Sequence, residues 1–293
     1  MKRVLSSLSY LLSDKMFLRM KYRMKFKKKL NLKNPKTFNE KIQWLKLYDR
    51  KDIYTTMVDK YEVKRYVADI IGEKYIIPTI GVYERFEDID FNELPDQFVI
   101  KCTHDSGGLV ICRNKAELDI EKAKGVINTS LKRNYYYHGR EWPYKNVRPR
   151  IIVEKFMEDK KDGELRDYKM FCFNGRFELM FIATNRQGDS DTYFDFFDRN
   201  FKHLPFTNGH PNAPKKPHKP VNYTKMIELA ERIAGDIPQV RIDFYEVDGR
   251  IYFGEITFSH WSGLMPFVPE KWDTKLGDYI DLSRVNKRGD DSE

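Results

Sequence analysis

Nowhere in this 293-residue sequence do uncharged apolar residues run for the roughly 18 positions that a membrane-spanning helix needs, so the chain is expected to be soluble or peripheral. Cysteine is scarce. Cys102, Cys112 and Cys172 are odd in number and lack the spacing of metal ligands, which excludes a disulfide framework and suits a reducing cytoplasm. They read as small buried hydrophobes. The usual catalytic signatures are also missing: no GxGxxG turn, no GxSxG elbow and no HExxH helix occurs, so dinucleotide, serine-hydrolase and zinc-protease chemistry are set aside. The "DSD" at Asp189 to Asp191 follows "ATNRQG" and reads as a turn rather than a nucleotide-sugar metal motif. No internal repeat is present.

What is present is a folding composition, 41% hydrophobic with 14% aromatic residues, and a lopsided charge. Ten Lys or Arg against Asp14 alone in the first thirty positions account for the whole net charge of +9, so the body is neutral and nucleic-acid binding is not expected. The same stretch carries Val4, Leu5, Leu8, Leu11, Leu12, Phe17 and Leu18. It predicts a basic amphipathic helix over residues 1–30 for an anionic membrane surface, the alternative being a helix packed on its own body with a solvated basic face. "LSSLSYLLS" is too short and serine-rich for a cleaved signal peptide.

Along the chain, Thr37 and Glu40 in "NPKTFNEKIQWLKLYDR" form a capping-box pattern ahead of a helix, and "VDKYEVKRYVADII" predicts a second helix ended by Gly72. Strand patterns follow in "YIIPTIGVYE", "QFVIKCT" and "LVICRN", then a helix in "KAELDIEKAKGVINTSLKRN". The second half holds "PRIIVEKFM", "DYKMFCFNGRFELMFIATN" and "TYFDFFDRNFKHLPF", a Pro-rich connection, a helix in "YTKMIELAERIAGDI", and a last hairpin. The order predicts an α+β protein with antiparallel sheets. Its divisions are an arm over 1–35, a helical segment over 36–75, a smaller lobe over 76–150 and a larger lobe over 151–293.

That last hairpin, "VRIDFYEVDGRIYFGEIT", places Arg241, Asp243 and Glu255 on strands whose other residues are apolar. A strict two-residue Asp248-Gly249 loop would pair Asp243 with Gly254 and put the two carboxylates on opposite faces. A bulged three-residue loop, Asp248 to Arg250, puts Asp243 opposite Glu255, with Thr257 on the same face, and carboxylates so placed could share a hard divalent cation. The alternative is an edge hairpin with its charges in solvent. Lys101 ends the strand "QFVIK" beside the loop "CTHDSGG", where a lysine and closely approachable backbone at Ser106, Gly107 and Gly108 suit phosphate. In "IIVEKFM", Glu154 and the backbone of Lys155, Phe156 and Met157 could read an adenine edge.

In this order "DKYEVKRY", "LPDQFVIKCTHDSGG", "IIVEKFM", "DYKMFCFNGR" and "VRIDFYEVDGRIYFGEITFSHWSG" resemble the ATP-grasp superfamily, in its TupA-like branch linked to teichuronopeptide and bacterial surface polysaccharide synthesis, over roughly residues 36–285. The resemblance implies two α+β lobes sandwiching ATP. Lys60 and Lys101 would contact phosphates, Glu154 with Lys155 to Met157 adenine, Asp167 the ribose, and Lys202, or Arg199 in its place, a further phosphate. Arg241 would stabilise phosphoryl and acyl-phosphate charge, while Asp243, Glu255 and Thr257 would hold Mg²⁺. Thr257 departs from the family pattern, offering a hydroxyl where an asparagine amide is usual. For substrates, the residues singled out are Arg140 and Arg186 as clamps for a uronic acid carboxylate, with Ser259, His260 and Trp261 in the acceptor pocket. The implied reaction is ATP-dependent joining of an amine or amino acid to a hexuronic acid in a surface polysaccharide, in the cytoplasm or at the inner membrane face. A glycosyltransferase of the same pathway and a non-catalytic nucleotide-binding protein are the alternatives.

Overall fold

The computed structural model of the chain describes residues 12–159, 165–185 and 191–285. Thr37 and Glu40 make both halves of the expected capping box, which starts helix Phe38–Tyr48. Helix Glu62–Ile71 ends where Gly72 turns to a φ of 106°. The helix expected from Lys115 begins only at Ile120, because the Asp119 side chain caps the amide of Lys122.

Strands β1 (Thr79–Tyr83), β2 (Phe98–Cys102), β3 (Leu109–Cys112) and β4 (Ile151–Lys155) form an antiparallel sheet in the order β1-β4-β2-β3. The lobe boundary expected at residue 151 therefore falls too early. Ile151 and Val153 complete the core that Phe98 and Ile100 build under helix Ile120–Leu131, so β4 belongs to the first sheet. Beyond it, β5 (Asp167–Phe173), β6 (Arg176–Thr184), β7 (Tyr193–Asp198), β8 (Thr207–Asn208), β9 (Gln239–Val247), β10 (Arg250–Thr257) and β11 (Phe267–Val268) make up the second half. The larger sheet runs β10-β9-β5-β6-β7, and β8 pairs with β11.

Period-two alternation gives the larger sheet two apolar faces. One, with Tyr168, Met170, Met180, Ile242 and Phe244, packs on helix Tyr223–Ala234 and on Val63, Val67 and Ile71. The other, with Phe171, Phe173, Leu179 and Phe181, packs on Phe38, Ile42 and the N-terminal helix Asp14–Phe26. No helix among the described residues is long and apolar enough to cross a membrane.

That N-terminal helix is not a free arm. Phe17, Leu18 and Tyr22 are buried in the second core, where each contributes about 2 kcal/mol. Residues 1–11, and with them Val4, Leu5, Leu8 and Leu11, lie outside the described residues. Arg140, expected to clamp a substrate carboxylate, is instead the anchor of this helix. It is 2% exposed, pairs with Asp14 at 3.3 Å and lies 4.6 Å over the Phe17 ring, between Tyr136 and Tyr137. Removing one partner of a buried charge pair is costly, so Arg140→Ala should lower the unfolding free energy by about 3 kcal/mol and open Arg19 and Arg23 to trypsin. Urea melts and timed digestion check this; a variant as stable and resistant as the wild type contradicts the anchoring role.

Candidate active site

The last hairpin turns at Asp248 and Gly249, whose φ values of 49° and 74° make the two-residue turn that Asp-Gly favours. Val247 accordingly pairs with Arg250. The bulge required to bring the carboxylates together lies elsewhere, between Phe253 and Glu255, and the extra residue is Gly254. A side chain there would come within 3.0 Å of the Tyr245 ring. Because of the bulge Glu255 stands opposite Asp243, and Thr257 opposite Arg241.

These side chains converge on one guanidinium. Arg241 donates from Nε to Asp243 Oδ1 at 2.7 Å, and from Nη2 to Asp243 Oδ2 at 2.8 Å, Glu255 Oε1 at 3.0 Å and Thr257 Oγ1 at 3.0 Å. Its Nη1 meets His260 Nδ1 at 2.9 Å. Arginine only donates, so His260 Nδ1 must accept, leaving the proton on Nε2, which donates to Asn208 Oδ1 at 3.0 Å. Asn208 is oriented in turn by giving its amide hydrogens to the carbonyls of Met265 and Pro266, both at 3.1 Å. Burial, reinforced by Arg241 and Lys169, holds the His260 imidazole well below its ordinary pKa. His260 is therefore a neutral support for Arg241, not the substrate-contacting group expected from the sequence.

The sequence did not point to Lys169, two residues after Asp167 in "DYKMFCF". It stands opposite Asp243 in the β5–β9 register and pairs with that carboxylate, and with Asp167 at 3.5 Å. Asp167 is 1% exposed at the start of β5. Its spacing of two from a lysine on the same strand face was the available signal.

Across the seam, the first sheet presents a matching set of charges. Glu154 pairs with Lys101 at 2.7 Å and with Lys64, which lies one helical turn after Lys60 in "DKYEVKRY" and was also missed. Burial opposes the ionisation of Glu154, but Lys101 and Lys64 hold its carboxyl down at about 2. Glu255 is likewise held at about 2: burial opposes its charge, while Lys169, Arg241 and Lys60 favour it. Lys60 links the two sides. Its ammonium donates to the Asp105 carbonyl, its pKa is lowered by burial, and Glu255, Lys101, Asp105 and Glu154 all act on its charge. The loop holding Ser106 and Gly107 is exposed and tethered at its base, where Asp105 bonds Ser130 and accepts from Gly107 N at 2.8 Å. Gly108 packs so closely on Ser130 and Cys102 that a Cβ would lie 2.5 Å from Ser130 Oγ. At the end of β4, Lys155 is exposed, its amide bonded to the Pro78 carbonyl, and Phe156 is capped by Arg113 at 5.0 Å; Met157 follows, half-buried.

Not every expected residue is brought here. Lys202 is exposed in the turn after β7, beyond two intervening strands from Arg241, and Arg199 is tied to Glu231 at 2.6 Å. Arg186 lies outside the described residues. Ser259 is buried and its carbonyl accepts from Ser262 N at 2.7 Å. Trp261, Ser262 and Gly263 have φ of 49°, 58° and 61°, a left-handed turn that costs about 1–2 kcal/mol at each non-glycine position. Lys46 and Gln43, from helix Phe38–Tyr48, hold it: Lys46 donates to Ser262 O at 2.6 Å and to Gly139 O at 2.9 Å, and Gln43 to Gly263 O at 2.7 Å. Burial pushes Lys46 down to about 8, against the pull of Glu141. No group of three or more His, Cys, Asp or Glu side chains among the described residues could hold a metal ion by itself.

Residues 40–281 match the family described as TupA-like ATPgrasp. Comparison with curated proteins finds no match. Among solved structures, D-alanine–D-alanine ligase from Bacillus anthracis complexed with ATP shares 13% identity at a TM-score of 0.41, over 76% of this chain and 68% of that one. The Helicobacter pylori D-alanine–D-alanine ligase shares 13% at 0.45, over 84% and 67%. An L-amino acid ligase from Bacillus licheniformis shares 13% at 0.44, over 77% of this chain but only half of its own length. Likeness this loose transfers no activity.

The depressed Glu154 carboxyl makes a pH prediction. A group whose folded pKa lies below its unfolded value stabilises fully above about pH 4.5, and the contribution disappears as pH falls toward 2, here on the order of 3 kcal/mol. Glu154→Gln should be less stable than wild type at pH 7, with the gap closing between pH 4.5 and 2.5 in urea titrations. A gap independent of pH contradicts the ion-paired state.

Proposed function

The chain belongs to the TupA-like ATP-grasp family, and from that membership and the charges at the seam we propose that it is an ATP-dependent, ADP-forming carboxylate–amine ligase. The observation that carries the reading is the convergence of Asp243, Glu255 and Thr257 on Arg241 at a seam where Lys60, Lys64 and Lys101 stand opposite. Cations on one wall suit a triphosphate, and carboxylates on the other suit the divalent ion that accompanies it.

The donor set fits Mg²⁺. The Glu255 side chain is 41% exposed and Thr257 half-buried beside it, both hard oxygen donors, while Asp243 lies behind them with its oxygens bonded to Arg241 and Lys169. Glu255 and Thr257 would hold the ion directly, with Asp243 joining them only on giving up its Lys169 contact, and the ion would supply neutralisation of phosphate charge. The rest falls to the chain. Lys60 and Lys101 bind phosphate, the 106–108 loop lets backbone amides approach it, and the end of β4 with Glu154 takes the base. Asp167 takes the ribose, and Arg241 stabilises charge on the transferring group. In the reaction, an acceptor carboxylate oxygen bonds to the γ-phosphorus as the bond to ADP breaks. An amine nitrogen then bonds to the acyl carbon as phosphate leaves and the amine proton passes to solvent. Positioning suffices for both steps, without a protein nucleophile.

For the acceptor we favour a hexuronic acid of a bacterial surface polysaccharide and, for the amine, an amino acid; support comes from the TupA-like membership. The protein would work in the cytoplasm against the inner face of the membrane. Lys15, Arg19 and Arg23 are exposed on helix Asp14–Phe26, with Met16 and Met24 57% and 61% exposed and Lys27 to Lys29 just beyond. Such a surface suits anionic lipid.

ADP release with Mg²⁺-ATP should require both a uronic acid and an amine, and should fall at least about 100-fold in the Asp243→Asn, Glu255→Gln double variant. Release that ignores both acceptors, or no release even with membrane extract supplied, rejects the ligase. Vesicles containing phosphatidylglycerol should co-sediment the protein in a salt-sensitive way, and Arg19→Glu with Arg23→Glu should weaken this about tenfold or more. Equal sedimentation with neutral vesicles refutes lipid docking.

A further inference from the structure

Exposed tryptophan is ordinary, but Trp261 is 40% exposed while sitting in a left-handed turn that a side-chain-bearing residue avoids. Its neighbours are shaped around the indole. Gly209, at φ +83°, leaves no room for a Cβ, which would lie 2.9 Å from Trp261 Nε1. Phe194 stacks beneath at 6.3 Å and 30°, and His210 flanks at 5.9 Å. On the buried side, Lys46 and Gln43 bond the backbone of the turn, and Gly139 approaches so closely that a Cβ would lie 2.1 Å from Ser262 Oγ. A turn strained, braced from below and open above is a preorganised surface.

We propose that Trp261, with His210 at its edge, is the platform on which the sugar ring of the acceptor stacks. The placement fits a ring of that size: Trp261 is centred 6.0 Å from the His260 ring, and His260 touches Arg241 at 2.9 Å. A pyranose lying on the indole would therefore sit beside the turn whose His260 supports the guanidinium. A single exposed indole with a histidine at its edge suits the C–H face of a sugar better than a lipid chain or an apolar helix, which need a wider apolar surface. The assignment rests on the ligase reading for its substrate class, but its test is separate.

Di- and trigalacturonate and the matching glucuronate oligomers are titrated calorimetrically into the full chain, with Mg²⁺-ATP binding measured alongside. Trp261→Ala should weaken uronate binding at least tenfold and Trp261→Phe should restore most of it, with Mg²⁺-ATP affinity unchanged within twofold. Uronate binding unaltered in Trp261→Ala overturns the platform, as does failure of every uronate to bind the wild type. If uronates fail while another carboxylate drives ADP release, the platform falls and the ligase stands. If uronates bind through Trp261 but no carboxylate drives release, the ligase falls and the platform stands.

Discussion

A guanidinium 7% exposed, between two sheets, is tolerable only if opposite charge and hydrogen-bond acceptors surround it, since a buried charge left unpaired costs several kcal/mol. Arg241 meets that demand with Asp243 from its own strand, Glu255 and Thr257 from the neighbouring strand and His260 from the turn that follows. The requirement propagates outward. Glu255 reaches the group only through the Gly254 bulge, and His260 accepts only as a neutral imidazole, whose Nε2–H tautomer is fixed by the hydrogen bond it donates to Asn208 Oδ1. Lys169 balances the second charge of the cluster, so a pair of carboxylates that would repel each other is stabilised side by side.

The same logic explains the N-terminal third. Helices Asp14–Phe26 and Phe38–Tyr48 cover one apolar face of the larger sheet, and Lys46 and Gln43 extend from the second of them to brace the turn that delivers His260 inward and Trp261 outward. Lys60 and Lys64 come from a segment that touches both sheets, with Ile76 bridging to Phe253 of β10. Charge at the seam is thus shared: Glu154 pairs with both Lys64 and Lys101 on one side, and Asp243 with both Arg241 and Lys169 on the other, so each single carboxylate faces two cations.

Legibility followed the range of the interactions. The capping box at Thr37, the helix stop at Gly72 and the hairpin turn at Asp248-Gly249 depend on neighbours a few residues away, and the structure has all of them. The charged hairpin was visible because Arg241, Asp243 and Glu255 interrupt apolar alternation. The position of its bulge had a signal too, an isolated glycine within a strand, yet the turn was the more obvious place to put an extra residue. What sequence could not supply was partnership across the fold. Arg140 looked like a clamp because its contacts with Asp14 and Phe17 span more than a hundred residues, and His260 looked like a substrate group because Asn208 and Arg241 are distant in the chain. β4 was assigned to the wrong lobe for the same reason: nothing local says which sheet a buried strand will join.

The arrangement around Arg241 is open to direct observation through His260. Long-range ¹H–¹⁵N spectra of the protein, with His260→Gln used to assign the signal among the six histidines, report which ring nitrogen carries the proton. The account predicts a neutral ring protonated at Nε2, unchanged from pH 5 to 8, because burial and Arg241 both oppose a second proton. A His260 that titrates near pH 6.5, or one protonated at Nδ1, contradicts it, since neither state can accept the hydrogen bond that holds the guanidinium in place.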